Sequence, residues 1–296
     1  MARLFFRFSL LLLPWLYASV ALAGPFTEPG IDKDDPAIVA WAASSADYLP
    51  AADVDEQWRD PAKALGPAAG NPYDVVSLGE RPDGDDGAPG QITLGFAEPL
   101  ADRSGYDFAV FENSFPTVGL LFAELAFVEV GTDGENWARF PGVSLTPGPV
   151  DEYGALDPTD VYNLAGKHQN AYGTYLGTPF DLADLSEHPA VTAGLVDLQE
   201  IHWVRLVDIP GGGLYTDDAT ALGYDADHPI YDVFPTTGSA GFDVEAVAVI
   251  DETNPAVDDD DDTAGDDDTG DDWYEDDDTA GDGSDDDADN SGAGCS

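Results

Sequence analysis

Acidic side chains occur in this chain at positions where a strand pattern predicts apolar ones. The stretch FAELAFVEVGTDGENW (residues 122–137) begins as an alternating strand, and Glu124 falls on the same face as Phe122 and Ala126. Glu129 falls on the opposite face, which we expect to be wet. A buried carboxylate without a partner is costly and favours a proton, a cation or several N–H donors. Glu124 is therefore predicted to have a partner.

Two further strand-like runs carry acids in the same way. Glu112, followed by Asn113, ends the apolar part of YDFAVFENSF, and Asp243 and Glu245 lie within GFDVEAVAVI. Arg205, in the apolar run HWVRLVDI, is an obvious partner for Glu124. Two interpretations stay open: a buried Glu–Arg pair that fixes the sheet register, or a calcium or ligand site at one edge of a sandwich. Strand order would decide between them.

Calcium is the metal that these residue types favour. It takes about six to eight oxygen ligands from carboxylates and carbonyls, often in flexible loops. The turn-rich segments RPDGDDGAPG and LYTDDATALGYDADHP supply further Asp residues, although Asp is also common in turns for conformational reasons alone. The predicted metal ligands are Asp83, Asp85, Glu112, Glu124, Asp225 and Asp227.

Catalytic motifs do not emerge from the sequence. The four histidines form neither a His-x-x-x-His nor a His-Glu-x-x-His pair, and no Gly-x-Ser-x-Gly elbow is present. The one cysteine is Cys295, far from the predicted domain. Carboxylate pairs are too common in so acidic a chain to indicate glycoside hydrolysis. The sequence favours a protein that is not an enzyme.

The charge of the chain restricts its partners. Residues 24–255 hold 41 acidic against eight basic residues, which gives a formal charge of −33. Such a surface repels nucleic acid and anionic lipid and attracts cations. Solubility in salty surroundings is the plainer explanation of the charge, and calcium binding is the other.

The first 23 residues, MARLFFRFSLLLLPWLYASVALA, have the pattern of a secretory signal peptide. Two arginines precede an apolar run, and Ala21-Leu22-Ala23 forms a cleavage site. No later run is long enough to be a transmembrane segment. We expect a secreted or cell-surface protein, whose single cysteine excludes an internal disulfide bond.

The remaining chain divides into a domain and a tail. Residues 24–255 contain many short β-rich runs separated by Gly, Pro, Asp and Asn, which predicts an all-β sandwich with long loops and short helices. Asp133-Gly134 is predicted to form the turn of a hairpin. Residues 256–296 are an Asp-rich, low-complexity segment that is predicted to be a disordered spacer.

A long segment within the domain, residues 141–199, lacks a period-two pattern. Loops of this length in a compact domain are usually functional. Its richness in Tyr, Asn and His favours a recognition surface, although it could simply cover one end of the sandwich. The predicted ligand-binding residues are Tyr153, Tyr162, Asn163, His168, Tyr172 and Tyr175.

Several runs together resemble a family of secreted bacterial cell-surface proteins. These are ALGPAAGNPYDVVSLG, GQITLGF, YDFAVFENSF, FAELAFVEVGTDGENW, VRLVDI and GFDVEAVAVID, and the resemblance spans residues 36–251. Members commonly carry a PEP-CTERM-like C-terminal sorting signal, whereas this chain stops at Gly294-Cys295-Ser296 without an apolar helix or basic cluster. The resemblance implies a jelly-roll sandwich similar to discoidin and carbohydrate-binding modules, with a galactose-binding-like fold.

The expected function is that of an exported binding module for a carbohydrate or another extracellular ligand, with calcium as a stabilising ion. A structural or adhesive surface protein with protein partners is the alternative from a different class. A hydrolase of extracellular polysaccharide is a third.

Overall fold

A computed structural model describes residues 23–80, 88–225 and 227–253. Almost all of the predicted signal peptide, the predicted ligands Asp83 and Asp85, and the Asp-rich segment 256–296 lie outside the described residues. The described chain is an all-β sandwich, as predicted.

Eighteen strands are described, most of them short. In chain order they are β1 (Ile31–Asp32), β2 (Ile38–Trp41), β3 (Ser44–Leu49), β4 (Val76–Ser77), β5 (Gln91–Leu100), β6 (Phe108–Glu112), β7 (Phe115–Pro116), β8 (Leu121–Phe122), β9 (Ala126–Gly131), β10 (Ala138–Arg139), β11 (Val143–Ser144), β12 (Val161–Tyr162), β13 (Asn170–Ala171), β14 (Thr174–Phe180), β15 (Ile201–Asp208), β16 (Gly212–Thr216), β17 (Pro229–Tyr231) and β18 (Asp243–Ile250).

Helical structure is limited to single turns. The α-helix, α1, is Pro189–Thr192, and the 3₁₀ helices are Glu56–Trp58, Pro61–Ala64, Pro158–Asp160, Leu182–Leu185 and Ala219–Leu222. Within the part of the chain that is described, no helix is long and apolar enough to cross a membrane.

Two antiparallel sheets form the sandwich. One has the order β1-β14-β6-β18-β2, with β13 paired to β14 and β4 paired to β18. The other has the order β10-β9-β15-β5-β3. Neighbours that are distant in sequence, such as β6 with β18 and β9 with β15, bring together segments whose contact the sequence does not reveal.

The main core lies between the two sheets. Phe108 and Phe180, from β6 and β14, stack with ring centroids 5.1 Å apart, and Phe140 packs edge-on against Phe180 at 5.0 Å. Apolar side chains of β5, β9 and β15 complete this cluster from the other sheet. Since β6 and β9 are both buried along their whole length, an acid on either of them needs a polar partner.

The predicted hairpin is confirmed. β9 and β10 pair with Ala138 opposite Val130, and Gly134 occupies the left-handed region with φ +77°. Asp133 Oδ1 accepts the backbone N–H groups of Glu135 and Asn136, each at 2.8 Å. These bonds fix the turn and lower the pKa of Asp133 to about 2.

Candidate functional site

Glu129, rather than Glu124, is the partner of Arg205. Glu129 is 6% exposed; its Oε1 accepts Arg139 Nε at 2.8 Å and its Oε2 accepts Arg205 Nε at 2.5 Å. The Arg205 guanidinium also lies over the ring of Trp137, 4.0 Å from its centroid. The expectation of a wet face at Glu129 is therefore wrong, because arginine and aromatic side chains cover the outer face of β9.

Glu124 instead lies in a group of three buried carboxylates, which we call the acidic floor: Glu112, Glu124 and Asp243. They are 2%, 4% and 1% exposed, respectively. Glu112 ends β6 and Asp243 begins β18, and these strands are paired with Val244 opposite Glu112. Glu124 lies in the loop just before β9. The pairing of β18 with β6 thus brings the end of β6 and the start of β18 together at one end of the sandwich.

Each carboxylate of the acidic floor accepts hydrogen bonds from uncharged groups. Asp243 Oδ2 accepts Asn113 Nδ2 at 2.9 Å, while its Oδ1 accepts the hydroxyl of Ser77. Glu124 Oε1 accepts the hydroxyl of Thr236 at 2.6 Å. Glu112 Oε2 accepts the backbone N–H of Ser114 at 2.8 Å.

The acidic floor has no basic partner among the described residues, since none of the ion pairs there involves Glu112, Glu124 or Asp243. Burial raises the pKa of Glu112 and of Glu124 well above the usual range, and the nearby charge of Asp243 raises both further. Burial also raises the pKa of Asp243 to about 7, against the opposing effect of its hydrogen bonds. The floor therefore favours a bound proton or a bound cation.

A cleft of about 340 Å³ opens above the acidic floor. Glu124, Asp243 and Asn113 form its polar base. Six aromatic side chains also line it, together with smaller polar and proline residues and Glu152; the aromatic ones are Trp58, Tyr73, Phe115, Phe122, Tyr153 and Tyr172.

The rim of the cleft exposes its aromatic rings. Tyr73, Tyr153 and Tyr172 are 70%, 87% and 70% exposed, which is unusual for such large apolar groups. Phe115 and Phe122, which also line the cleft, stack with ring centroids 4.4 Å apart. The cleft thus combines a carboxylate and amide base with flat apolar walls.

The structure separates the residues that the sequence predicted to bind a ligand. Tyr153 and Tyr172 line the cleft, but the other four do not. Tyr162 stacks on Phe26 at 5.2 Å, and its hydroxyl is 3.2 Å from Asp184 Oδ2.

The remaining three predicted ligand-binding residues hold the fold together. Asn163 is buried and donates to Asp184 Oδ2 at 2.8 Å. The ring nitrogens of His168 lie 3.2 Å from Thr178 Oγ1 and 3.1 Å from the carbonyl oxygen of Glu28. Tyr175 packs against Gly70 and lies below Lys33.

The predicted metal ligands are separated as well. The structure brings Glu112 and Glu124 together, whereas Asp225 and Asp227 are exposed and do not line the cleft. Asp243 and Asn113 are absent from the set of metal ligands predicted from the sequence. The signal for Asp243 was an acid on an apolar strand, the same signal that indicated Glu112 and Glu124.

A separate acidic triad comprises Asp102, Asp107 and Asp181. One carboxylate oxygen of each lies within 4.8 Å of the others, and this is the group of three in the described residues that meets that spacing. Both oxygens of Asp107 accept backbone N–H groups, from Arg103 at 2.9 Å and from Leu182 at 2.7 Å. Burial raises the pKa of Asp107 to about 6. Through these bonds Asp107 holds the turn before β6 and the 3₁₀ helix after β14 in place, so the triad has a structural role.

Comparison of the chain with protein-family models and with curated proteins found no match.

Proposed function

We propose that this protein is an exported, non-enzymatic binding module that holds a neutral carbohydrate in the aromatic cleft, with calcium at the acidic floor. The observation that carries the proposal is the exposure of Tyr73, Tyr153 and Tyr172 around a base of carboxylate and amide groups. The signal peptide pattern and the resemblance to bacterial cell-surface proteins support export to the cell surface.

Carbohydrate suits this cleft for chemical reasons. A pyranose ring has a flat apolar face that stacks on aromatic rings, and a rim of hydroxyl groups that bond to carboxylates and amides. Asn113 and Glu124 provide such groups at the base. A neutral sugar is favoured over an acidic one, because the floor is itself negative and the domain carries a formal charge of −33 in residues 24–255.

Calcium suits the floor because three buried carboxylates meet there without a basic partner in the described chain. The hydroxyl oxygens of Ser77 and Thr236 are further oxygen groups beside them. The carboxylate oxygens of Glu112, Glu124 and Asp243 are spaced more widely than those of the triad Asp102, Asp107 and Asp181. Calcium binding would therefore draw Glu124 and Asp243 together and tighten the base of the cleft.

One observation favours polysaccharide hydrolysis as a second candidate. Glu124 faces the cleft with a raised pKa, beside Asp243, and a protonated carboxyl next to a second carboxylate is the arrangement of glycosidase catalysis. Release of reducing sugar from a panel of polysaccharides, lost in Glu124→Gln, would favour this candidate over binding alone.

A glycan array tests the proposal. The secreted chain, labelled at its cysteine, is applied with 5 mM calcium and again with a chelator. We expect binding to one class of neutral glycan that is weakened in Tyr153→Ala and in Tyr172→Ala. Leu214→Ala is the matched control, since Leu214 is 79% exposed and does not line the cleft. Binding of proteins but of no glycan would favour an adhesive role instead.

A further inference from the structure

A pair of buried acids, Asp208 and Asp232, lies outside the aromatic cleft. Asp208 ends β15 and Asp232 follows β17, and each is 1% exposed. Asp208 Oδ1 accepts the backbone N–H of Phe242 at 2.7 Å, and Asp232 Oδ2 accepts that of Leu125 at 2.7 Å. Neither acid lines the cleft, so neither belongs to the proposed carbohydrate site.

Each carboxylate has one oxygen without a partner. Oδ2 of Asp208 and Oδ1 of Asp232 are both buried and accept no hydrogen bond. Within the described residues no Lys or Arg forms an ion pair with either acid. Two buried oxygens in this condition need a proton or a cation, because bare negative charge in a protein interior is very unfavourable.

The backbone around Leu125 brings the two acids to the same place. Leu125 donates its N–H to Asp232, and its carbonyl accepts the N–H of Ile209, the residue after Asp208, at 3.1 Å. The charge of Asp232 is close enough to raise the pKa of Asp208, in addition to the larger effect of burial.

Gly211 allows the close approach of this segment to Asp232. A Cβ atom at Gly211 would lie 1.5 Å from Asp232 Oδ1, so only glycine fits there. The unpartnered oxygen of Asp232 therefore lies directly beside the chain that leaves Asp208.

We propose that Asp208 and Asp232 bind one calcium ion through these two oxygens, in an enclosed site separate from the acidic floor. Carboxylate oxygen is the ligand type that calcium prefers, and backbone carbonyls and water would complete its shell of about six to eight oxygens. The ion would join the end of β15, the loop before β9 and the segment after β17. Its role would be to stabilise the fold, because the site is closed to a carbohydrate.

The number of calcium ions bound per chain tests this site. The full secreted chain is freed of metal with a chelator, and calcium is titrated at pH 7.5 by calorimetry and counted by native mass spectrometry. We expect Asp208→Asn and Asp232→Asn each to bind one ion fewer than the parent chain. The same loss is expected in a Glu124→Gln background, which removes the ion of the floor and keeps the two sites distinguishable.

The control variant is Glu129→Gln, which removes a buried acid that is paired with arginine and should leave the ion count unchanged. An unchanged count in both Asp208→Asn and Asp232→Asn would overturn the proposal. So would an equal loss in Glu129→Gln, because the missing ion would then reflect general destabilisation.

A measurement on the unsubstituted chain covers the case in which the variants do not fold. Crystals soaked in calcium should show an anomalous scattering peak between Asp208 Oδ2 and Asp232 Oδ1. Absence of that peak at saturating calcium would overturn the proposal.

Discussion

Arg205 lies directly opposite Glu129 in the pairing of β15 with β9, and its guanidinium binds the Glu129 carboxylate. Arg139, opposite Glu129 on β10, binds the same carboxylate from the other side. Glu129 therefore joins three strands, and Glu124 is left without an arginine. We therefore expect removal of the charge of Glu129 to destabilise the fold, and removal of the charge of Glu124 to leave the calcium-free fold as stable as before.

Glu129→Gln should lower the free energy of unfolding by about 3 kcal/mol, the lower end of the range for a broken buried ion pair. Two arginines would lose the carboxylate that they share, and their partial contact with water keeps the loss at this lower end. Urea denaturation at pH 7 measures the change. Glu135→Gln, at an exposed position of the adjacent turn, is the control and should change stability by less than about 0.5 kcal/mol. Equal effects would contradict the assignment.

Calcium should stabilise the protein through the acidic floor. With an extracellular-type Kd of about 0.1–1 mM, 10 mM calcium adds roughly 1.4–2.7 kcal/mol to the free energy of unfolding. Glu124→Gln should lose most of the stabilisation that calcium gives at the acidic floor. In chelator the variant should be no less stable than the parent chain, because Glu124 forms no ion pair with an arginine. Thermal unfolding with calcium, magnesium and chelator measures both effects. A calcium gain that is unchanged in Glu124→Gln would place the ion elsewhere.

Calcium-free protein should become less stable as the pH rises from about 4 to 8. Glu112, Glu124, Asp208 and Asp232 have raised pKa values in the folded state, so the folded chain keeps protons that the unfolded chain has released. His168 acts in the opposite direction below pH 6.5, because burial lowers its pKa to about 4.

The interval between pH 7 and 8 emphasises the acids, since His168 is neutral there in the folded state and mostly neutral in the unfolded state. We expect the free energy of unfolding to fall as the pH rises across it, because the folded chain holds more protons on these acids than the unfolded chain does. Denaturant titration in chelator gives the slope, and calcium should reduce it by replacing protons. Stability that rises with pH over this interval would show that the acids are ionised and otherwise compensated.

Tyr153→Ala and Tyr172→Ala should weaken glycan binding without destabilising the fold. Loss of one stacking ring is expected to cost about 0.5–1.5 kcal/mol, or roughly 2- to 12-fold in affinity. Tyr162→Ala should give the opposite result, with reduced stability and unchanged affinity, because Tyr162 packs on Phe26 away from the cleft. Calorimetry with the glycan found on the array, together with thermal unfolding, separates the two outcomes.

The sequence by itself determined the class of fold and showed that several acids on apolar strands need a partner. Short alternating runs predict an all-β sandwich, and Asp133-Gly134 predicts a hairpin, because both follow from local backbone preferences. An acid on an apolar strand predicts a partner, because burial without one is unfavourable at any position in any fold.

Only the tertiary structure decided which partner each acid has. Glu124 and Glu129 are five residues apart, and both are buried. Alternation along the strand therefore predicted the wrong one, Glu124, as the partner of Arg205. Register across β9 and β15 places Arg205 on Glu129, and the pairing of β6 with β18 brings Glu112 to Asp243. Contacts between strands far apart in the chain depend on how the whole sheet closes, and no local pattern records that.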